Sequence, residues 1–148
     1  MTERLTGYHY AGISLRYNSK ILLLKNKERG TWELPGGKVD ETDQTYLKAA
    51  LRESSEETGL VIEDCSVSWV LGTAPNEAIG GEGAGLTFGV ALSGGDELPP
   101  VPQISDEHSE YGWWPIKELP EGINEICRPG MERWLFIDSD LTQLIQEG

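Results

Sequence analysis

The feature that most constrains this chain is a short acidic segment, Arg52-Glu53-Ser54-Ser55-Glu56-Glu57-Thr58-Gly59. At about 100° per residue on a helix, Glu56 falls about 60° to one side of Glu53 and Glu57 about 40° to the other. Like charges so close destabilise a helix by about 0.2–0.5 kcal/mol per pair, and Arg52 offsets only part of that cost. A hard cation such as Mg²⁺, which takes oxygen ligands, would remove the penalty. The alternative is a solvated acidic surface, the usual role of a charge run.

Two glycines upstream favour the metal-binding interpretation of this face. The segment Leu34-Pro35-Gly36-Gly37 precedes the helix, and glycines permit close backbone approach. Gly59 suits the left-handed position just past a helix end. We therefore expect a tight loop beside the acidic face, followed by a helix that starts near Thr42 or Asp43, either of which can cap it, and that runs to Thr58.

Together these residues resemble the box of the Nudix hydrolases. In that family a Gly is followed after five residues by Glu, and after seven more by Arg-Glu-apolar-x-Glu-Glu-x-Gly-apolar. The matching residues here are Gly37, Arg52, Glu53, Glu56, Glu57, Gly59 and Leu60. The resemblance implies the α/β class, as an α/β/α sandwich with a mixed sheet between helices. We expect a single Nudix hydrolase domain over residues 1–148.

The chain departs from the family pattern in two places. Fourteen residues separate Gly37 from Arg52, where the pattern has thirteen. Counting forward from Gly37 places Asp43 at the first Glu of the box, whereas counting back from Arg52 places Gln44 there. The second departure is Ser54, which stands where the box has an apolar residue and should face the core. A Leu at that position would contribute about 1.5–3 kcal/mol through burial, so the Ser affects stability more than chemistry.

The resemblance also implies a reaction and a metal. The reaction is hydrolysis of a phosphoanhydride bond in a nucleoside diphosphate linked to another moiety, such as a nucleoside triphosphate, with Mg²⁺ or Mn²⁺. Its implied metal ligands are Glu53, Glu56, Glu57 and the carbonyl of Gly37. Arg52 would orient these carboxylates, and Lys38 is a candidate phosphate contact. The alternative function, motivated by the extra residue in the box, is a non-catalytic Nudix module that binds a nucleotide-like ligand as a sensor or partner domain.

The general base is either one of the box glutamates or a residue outside the box. Nudix enzymes often carry a base or an additional metal ligand just before a short aromatic strand. Here Glu107 lies six residues before Trp113, and Glu110 is its rival. Trp113 and Trp114 should point to opposite sides of that strand, so that either one can line a pocket.

Two other segments bear on the fold and the site. The run Ile21-Leu22-Leu23-Leu24 is apolar throughout, which predicts a strand covered on both faces. The glycine-rich stretch 72–85 predicts a loop beside the site, and its Glu77 and Glu82 are either solvated or brought to the metal by a lid movement.

The amino-acid composition limits the kinds of binding partner that this protein can have. The formal net charge is −13 and the sequence pI is about 4.5, which argues against general nucleic-acid binding, since that requires clustered Lys and Arg. A small nucleotide substrate remains compatible, as does a homodimer. No stretch approaches the roughly 18 apolar residues of a membrane span, and the two cysteines, Cys65 and Cys127, do not resemble a disulfide scaffold. We therefore expect a cytoplasmic protein without a membrane partner.

Overall fold

The computed structural model describes residues 8–62, 67–73, 84–92 and 98–147, with side chains described up to residue 138. The expectations for Cys65, Glu77 and Glu82 therefore lie outside the described residues. Along the chain the elements are β1 (Tyr10–Tyr17), β2 (Lys20–Asn26), β3 (Trp32–Glu33), β4 (Gly36–Lys38), α1 (Tyr46–Thr58), β5 (Val67–Thr73), β6 (Gly85–Leu92), β7 (His108–Pro115) and α2 (Arg128–Glu147).

The described strands form one mixed sheet with β1 near its centre. Its main path runs β3-β2-β1-β6-β5, with β4 also pairing with β1 and β7 with β2. β1 is parallel to β6 and antiparallel to β2 only near their shared hairpin, where Arg16 opposes Ile21. At its other end β1 pairs instead with β4, where Gly12 opposes Gly36. The change of partner along β1 places the glycine loop directly against the central strand.

The sheet is covered on both faces, as the apolar run in β2 predicted. Leu22 and Leu24 belong to one core cluster, together with Ala49 and Ala50 of α1. Ile21 belongs to the other, which includes residues of α2. All three leucine and isoleucine side chains are fully buried. The expected α/β/α sandwich with a mixed sheet is confirmed.

The limits of α1 were predicted only in part. The helix begins at Tyr46 and is capped by Thr45, whose hydroxyl accepts from the Lys48 amide. The expectation that Thr42 or Asp43 caps it was wrong. At the other end Gly59 has a φ of 69°, in the left-handed region, as expected. Ser54 is 1% exposed, so it does face the core.

Helix α2 closes the second face of the sheet. Trp134 is buried and donates from Nε1 to Ser14 Oγ of β1 at 3.0 Å. The ring of Trp134 also meets that of Trp69 edge to face, with centroids 5.3 Å apart. These contacts fasten α2 to the centre and to the β5 side of the sheet. Within the described residues, no helix has the length and apolar character needed to cross a membrane.

Candidate active site

The glycine loop approaches α1 so closely that it requires glycine. The Gly36 amide donates to Glu57 Oε2 at 3.0 Å. A Cβ placed on Gly37 would overlap the carboxylate of Glu53. On the other side, a Cβ on Gly36 would come within 2.6 Å of Gly12 Cα in β1. The loop is thus held between the central strand and the acidic face of the helix.

Arg52 is the organising cation of this face. Its Nη1 donates to Glu53 Oε1 at 3.1 Å and to Glu56 Oε1 at 3.3 Å. Its Nη2 donates to the carbonyl of Lys38 at 3.1 Å. One guanidinium therefore links two box carboxylates to the backbone of the glycine loop, and its orienting role in catalysis stays a prediction.

Asp43 is also bound to Arg52, and this contact answers the question of register in the box. Arg52 Nε and Nη2 donate to the two Asp43 carboxylate oxygens at 3.0 and 2.9 Å. Gln44 instead accepts from Lys48 Nζ at 2.6 Å on the surface. The forward count from Gly37 is thus the register that the structure adopts, and the extra residue lies between Asp43 and the start of the helix. Because the Asp43 carboxylate is bound to Arg52, Thr45 caps α1 instead.

Glu57 has an ionisable side chain in an environment that disfavours its charged form. It is 7% exposed. Burial raises its pKa to about 8, and repulsion from Glu53 and Glu107 adds to the rise, against the hydrogen bond from Gly36. The pKa of Glu53 is raised as well, first by burial and then by repulsion from other carboxylates, although Arg52 partly offsets this. At both side chains burial and neighbouring carboxylates disfavour the charged form, which a nearby cation would favour.

Glu107 reaches the same place on the loop that precedes β7. The Gln103 amide donates to the carbonyl of Thr58 at 2.7 Å, and the Ser105 amide donates to the carbonyl of Glu57 at 3.1 Å. These bonds satisfy carbonyls at the end of α1, which a helix leaves without partners. The Glu107 carbonyl in turn accepts from the Lys27 amide at 2.9 Å. The loop is therefore fixed on two sides beside the acidic face.

Several residues of the glycine loop, of α1 and of the loop before β7 line one cavity of about 860 Å³. The proposed site residues that line it are Gly37, Lys38, Glu53, Glu57 and Glu107. Of the described acidic candidates, Glu56 and Glu110 lie outside this wall. Glu56 has a side chain that is 59% exposed, and Glu110 pairs with Lys25 between β7 and β2.

The two tryptophans of β7 are core residues. Trp113 packs against the α1 side of the sheet and donates to the carbonyl of Pro100 at 2.9 Å. Trp114 packs on the α2 side, 5.4 Å from the ring of Trp32. They point to opposite faces, as predicted, and neither is among the described residues that line the cavity.

The structure adds cavity residues that the sequence did not single out: Arg29, Glu33, His108 and Asn124. Glu33 is 7% exposed and receives two hydrogen bonds from Arg29, at 2.9 and 3.0 Å. His108 is 5% exposed, and its Nδ1 has no hydrogen-bond partner in the described part of the chain. The one sequence signal for this group was the i, i+4 spacing of Arg29 and Glu33. Exposed ion pairs have the same spacing, so a structure is needed to identify this pair as part of a cavity wall.

The chemistry of the carboxylates fits a divalent cation. Glu53, Glu57 and Glu107 repel one another electrostatically, and hard oxygen donors of this kind are what Mg²⁺ and Mn²⁺ take. As the side chains are placed, no three His, Cys, Asp or Glu residues among those described form a ready metal centre. Glu57 is bonded to Gly36 and Glu53 to Arg52, so a cation would have to draw these carboxylates toward itself.

Comparison with known proteins shows to which family the chain belongs. The NUDIX domain model of its family matches residues 7–135. A MutT-like protein of Streptomyces ambofaciens is 34% identical over 116 residues, which are 78% of this chain and 68% of that protein. Mouse 8-oxo-dGDP phosphatase NUDT18 is 29% identical over 116 residues, 76% of this chain and 33% of that protein. The crystal structure of the MutT NUDIX hydrolase from Burkholderia pseudomallei superimposes with a TM-score of 0.65 and 26% identity, over 86% of this chain and 98% of that one. The chain therefore belongs to the Nudix family and is a Nudix pyrophosphohydrolase.

Proposed function

We propose that this chain hydrolyses a phosphoanhydride bond of a nucleoside triphosphate or a related nucleotide, with Mg²⁺ or Mn²⁺ as the cofactor. The observation that carries the proposal is the meeting of Glu53, Glu57 and Glu107 on one cavity wall, beside the backbone of Gly36 and Gly37. Such a wall repels a polyphosphate unless a cation is present. The substrate would be a small molecule bound in this cavity. We expect the reaction to take place in the cytoplasm.

The proposed metal ligands are Glu53, Glu56, Glu57 and the carbonyl of Gly37. When bound, the cation would neutralise phosphate charge and make a coordinated water more acidic. The position of Glu53 and Glu57 on the cavity wall supports this role. Glu56, which is more exposed and bonded to Arg52, would serve at the outer edge of the site.

The remaining residues orient and exchange protons. Arg52 holds Glu53 and Glu56 in place through its Nη1. Glu107 would accept the proton of the attacking water on a carboxylate oxygen, as a general base does. Lys38 is exposed at the cavity edge, where its ammonium group would contact a phosphate. Together these groups would direct the attack of water on a phosphorus atom of the substrate.

The proposal is tested by hydrolysis of a nucleotide panel with Mg²⁺ and with Mn²⁺, with phosphate and pyrophosphate quantified separately. The panel should include 8-oxo-dGDP, because the mouse relative is named for that substrate, together with nucleoside triphosphates, nucleotide sugars, ADP-ribose and dinucleoside polyphosphates. We expect at least one substrate to be turned over, and EDTA to abolish the reaction. Tight nucleotide binding without hydrolysis of any panel member would favour the sensor alternative.

A further inference from the structure

The cavity wall carries a second polar group, around Glu33 and Arg29, which the proposed hydrolysis does not use. Its centre is Glu33, whose carboxylate receives hydrogen bonds from three side chains. The closest is from Asn124 Nδ2 at 2.6 Å, and Thr31 Oγ1 donates at 3.1 Å. These contacts and the pair from Arg29 keep the pKa of Glu33 below its ordinary value in spite of burial, so it is a charged, fixed anchor.

Glu33 holds one edge of the Arg29 guanidinium and leaves the other edge free. Nε and Nη2 donate to Glu33 at 3.0 and 2.9 Å, whereas Nη1 makes no hydrogen bond within the described part of the chain. The tip of the guanidinium therefore keeps one N–H on each of Nη1 and Nη2, a fork that matches two adjacent acceptors.

The backbone around Arg29 holds this fork in place. Asn26 Oδ1 accepts from the amides of Glu28 and Arg29, at 3.0 and 2.8 Å. Gly30, with a φ of 70°, completes the turn before β3. Arg29 lines the cavity and its side chain is 56% exposed. A ligand can therefore reach the fork without a rearrangement of the turn.

The charge around the cavity decides what kind of acceptor the fork receives. Five Glu residues line it, against one Arg and one Lys. The charge of Arg29 is already balanced by Glu33, so this part of the cavity offers little attraction to a phosphate that lacks a metal. A neutral pair of acceptors is the better partner.

Apolar residues line the same cavity. Ile123 precedes Asn124, Ile126 lies two residues after it, and Leu34 follows Glu33. Glu33 also lies only three residues from Gly36, whose amide contacts Glu57, a reach of at most about 11 Å. That span suits a nucleoside whose phosphates lie at the carboxylates and whose flat, apolar base lies at this part of the cavity.

We propose that Arg29, positioned by Glu33, binds the base of the substrate nucleotide through two adjacent acceptors, the pattern that O6 and N7 give to guanine. Adenine presents an N–H donor beside N7 and does not match the fork. The assignment rests on the proposed function for the location of the phosphates. Arg29 would touch the substrate, and Glu33 would be a positioning residue.

The test uses nucleoside monophosphates, which contain no phosphoanhydride bond to hydrolyse. Calorimetry on the full chain in the presence of Mg²⁺ compares dGMP, dIMP, dAMP and 7-deaza-dGMP. The nucleotide dIMP keeps both acceptors, and 7-deaza-dGMP lacks only N7. We expect dGMP and dIMP to bind about 5- to 150-fold more tightly than dAMP and 7-deaza-dGMP, the range of a bidentate arginine contact. Equal dissociation constants for all four, or no binding by any of them, would overturn the proposal.

Two variants locate the preference. Arg29→Lys keeps the charge but removes the fork, and should reduce the preference to less than about threefold. Glu33→Gln should reduce it in part, because Arg29 loses a charged anchor. Arg133→Gln, at an exposed arginine of α2, is the matched control and should leave it unchanged. If Arg29→Lys weakened all four ligands equally, Arg29 would hold a phosphate and the base assignment would be wrong.

Failure of this inference is separable from failure of the proposed function. A base preference in the monophosphates without hydrolysis of any panel member would remove the function and keep the base contact. Metal-dependent hydrolysis by a protein whose monophosphate affinities show no base preference would remove the base contact and keep the function.

Discussion

Arg52 donates hydrogen bonds to both carboxylate oxygens of Asp43, at 3.0 and 2.9 Å. These bonds join the helix to the loop that is one residue longer than in the family pattern. The side chain of Asp43 is 6% exposed, and that of Arg52 is 31% exposed. The pair closes the loop onto the helix and leaves the Arg52 Nη1 for Glu53 and Glu56. The extra residue thus lies before the helix begins, and Glu53 and Glu56 remain in contact with Arg52.

The first prediction concerns the strength of that pair. Asp43→Asn places an amide N–H against a guanidinium, and should lower the free energy of unfolding by about 1–3 kcal/mol, the cost of disrupting hydrogen bonds to a charged partner. Gln44→Ala should change it by less than about 0.5 kcal/mol, since within the described residues the side chain of Gln44 is exposed and hydrogen-bonded to the exposed Lys48. Urea denaturation at pH 7 measures both. Equal losses would mean that the bidentate contact does not support the loop.

The second prediction is the pH dependence of the same contact. Hydrogen bonding to Arg52 lowers the pKa of Asp43 from its ordinary value of 3.8. A group with a lowered pKa in the folded state stabilises the protein fully above its ordinary pKa and loses that effect as the pH falls through the folded value. The difference in unfolding free energy between wild type and Asp43→Asn should therefore shrink below about pH 4. A difference that stays constant from pH 7 to pH 2.5 would contradict the assignment.

The box helix could be predicted from sequence because its signals are local. Four residues within two helical turns and a glycine at the helix end define the acidic face without help from the rest of the chain. The register of Asp43 could not be predicted, because it depends on where Thr45 starts the helix and on which carboxylate reaches Arg52. The contact between Glu33 and Asn124 joins residues 91 positions apart, and no local pattern encodes such a contact.

The third prediction tests Glu57 as a metal ligand. Glu57→Gln removes a buried carboxylate that other carboxylates repel, so the melting temperature in EDTA should hold or rise. The additional stabilisation by Mg²⁺ should shrink, because the cation binds the native state through fewer ligands, and turnover should fall. Glu121→Gln, at an exposed site, is the control and should keep the full response to Mg²⁺. An unchanged metal response in Glu57→Gln would remove Glu57 from the metal site.

The fourth prediction compares the two loop glycines. In Gly37→Ala the new methyl meets the end of the flexible Glu53 side chain. The fold should survive, whereas turnover should fall about 100-fold because Glu53 is displaced. In Gly36→Ala the methyl meets backbone, Gly12 Cα at 2.6 Å and Ala11 O at 2.7 Å. That change should cost about 1–3 kcal/mol of stability. Denaturation and steady-state kinetics on both variants separate the effects, and a Gly37→Ala enzyme with full activity would show that Glu53 need not lie there.

The last prediction assigns the general base. Glu107 is on the cavity wall, on a loop fixed to the end of α1 by the Gln103 and Ser105 amides. Glu107→Gln keeps the size of the side chain but cannot accept the proton from water, so kcat should fall by about 10²–10⁴-fold. Glu110→Gln should lower kcat by less than about threefold, because Glu110 opposes Lys25 in β2, away from the described cavity wall. Both variants carry the same change in charge within a few residues of each other, so an effect of net charge alone would appear equally in the two. A large loss in Glu110→Gln with a small one in Glu107→Gln would transfer the role to Glu110 and require the start of β7 to rearrange when substrate binds.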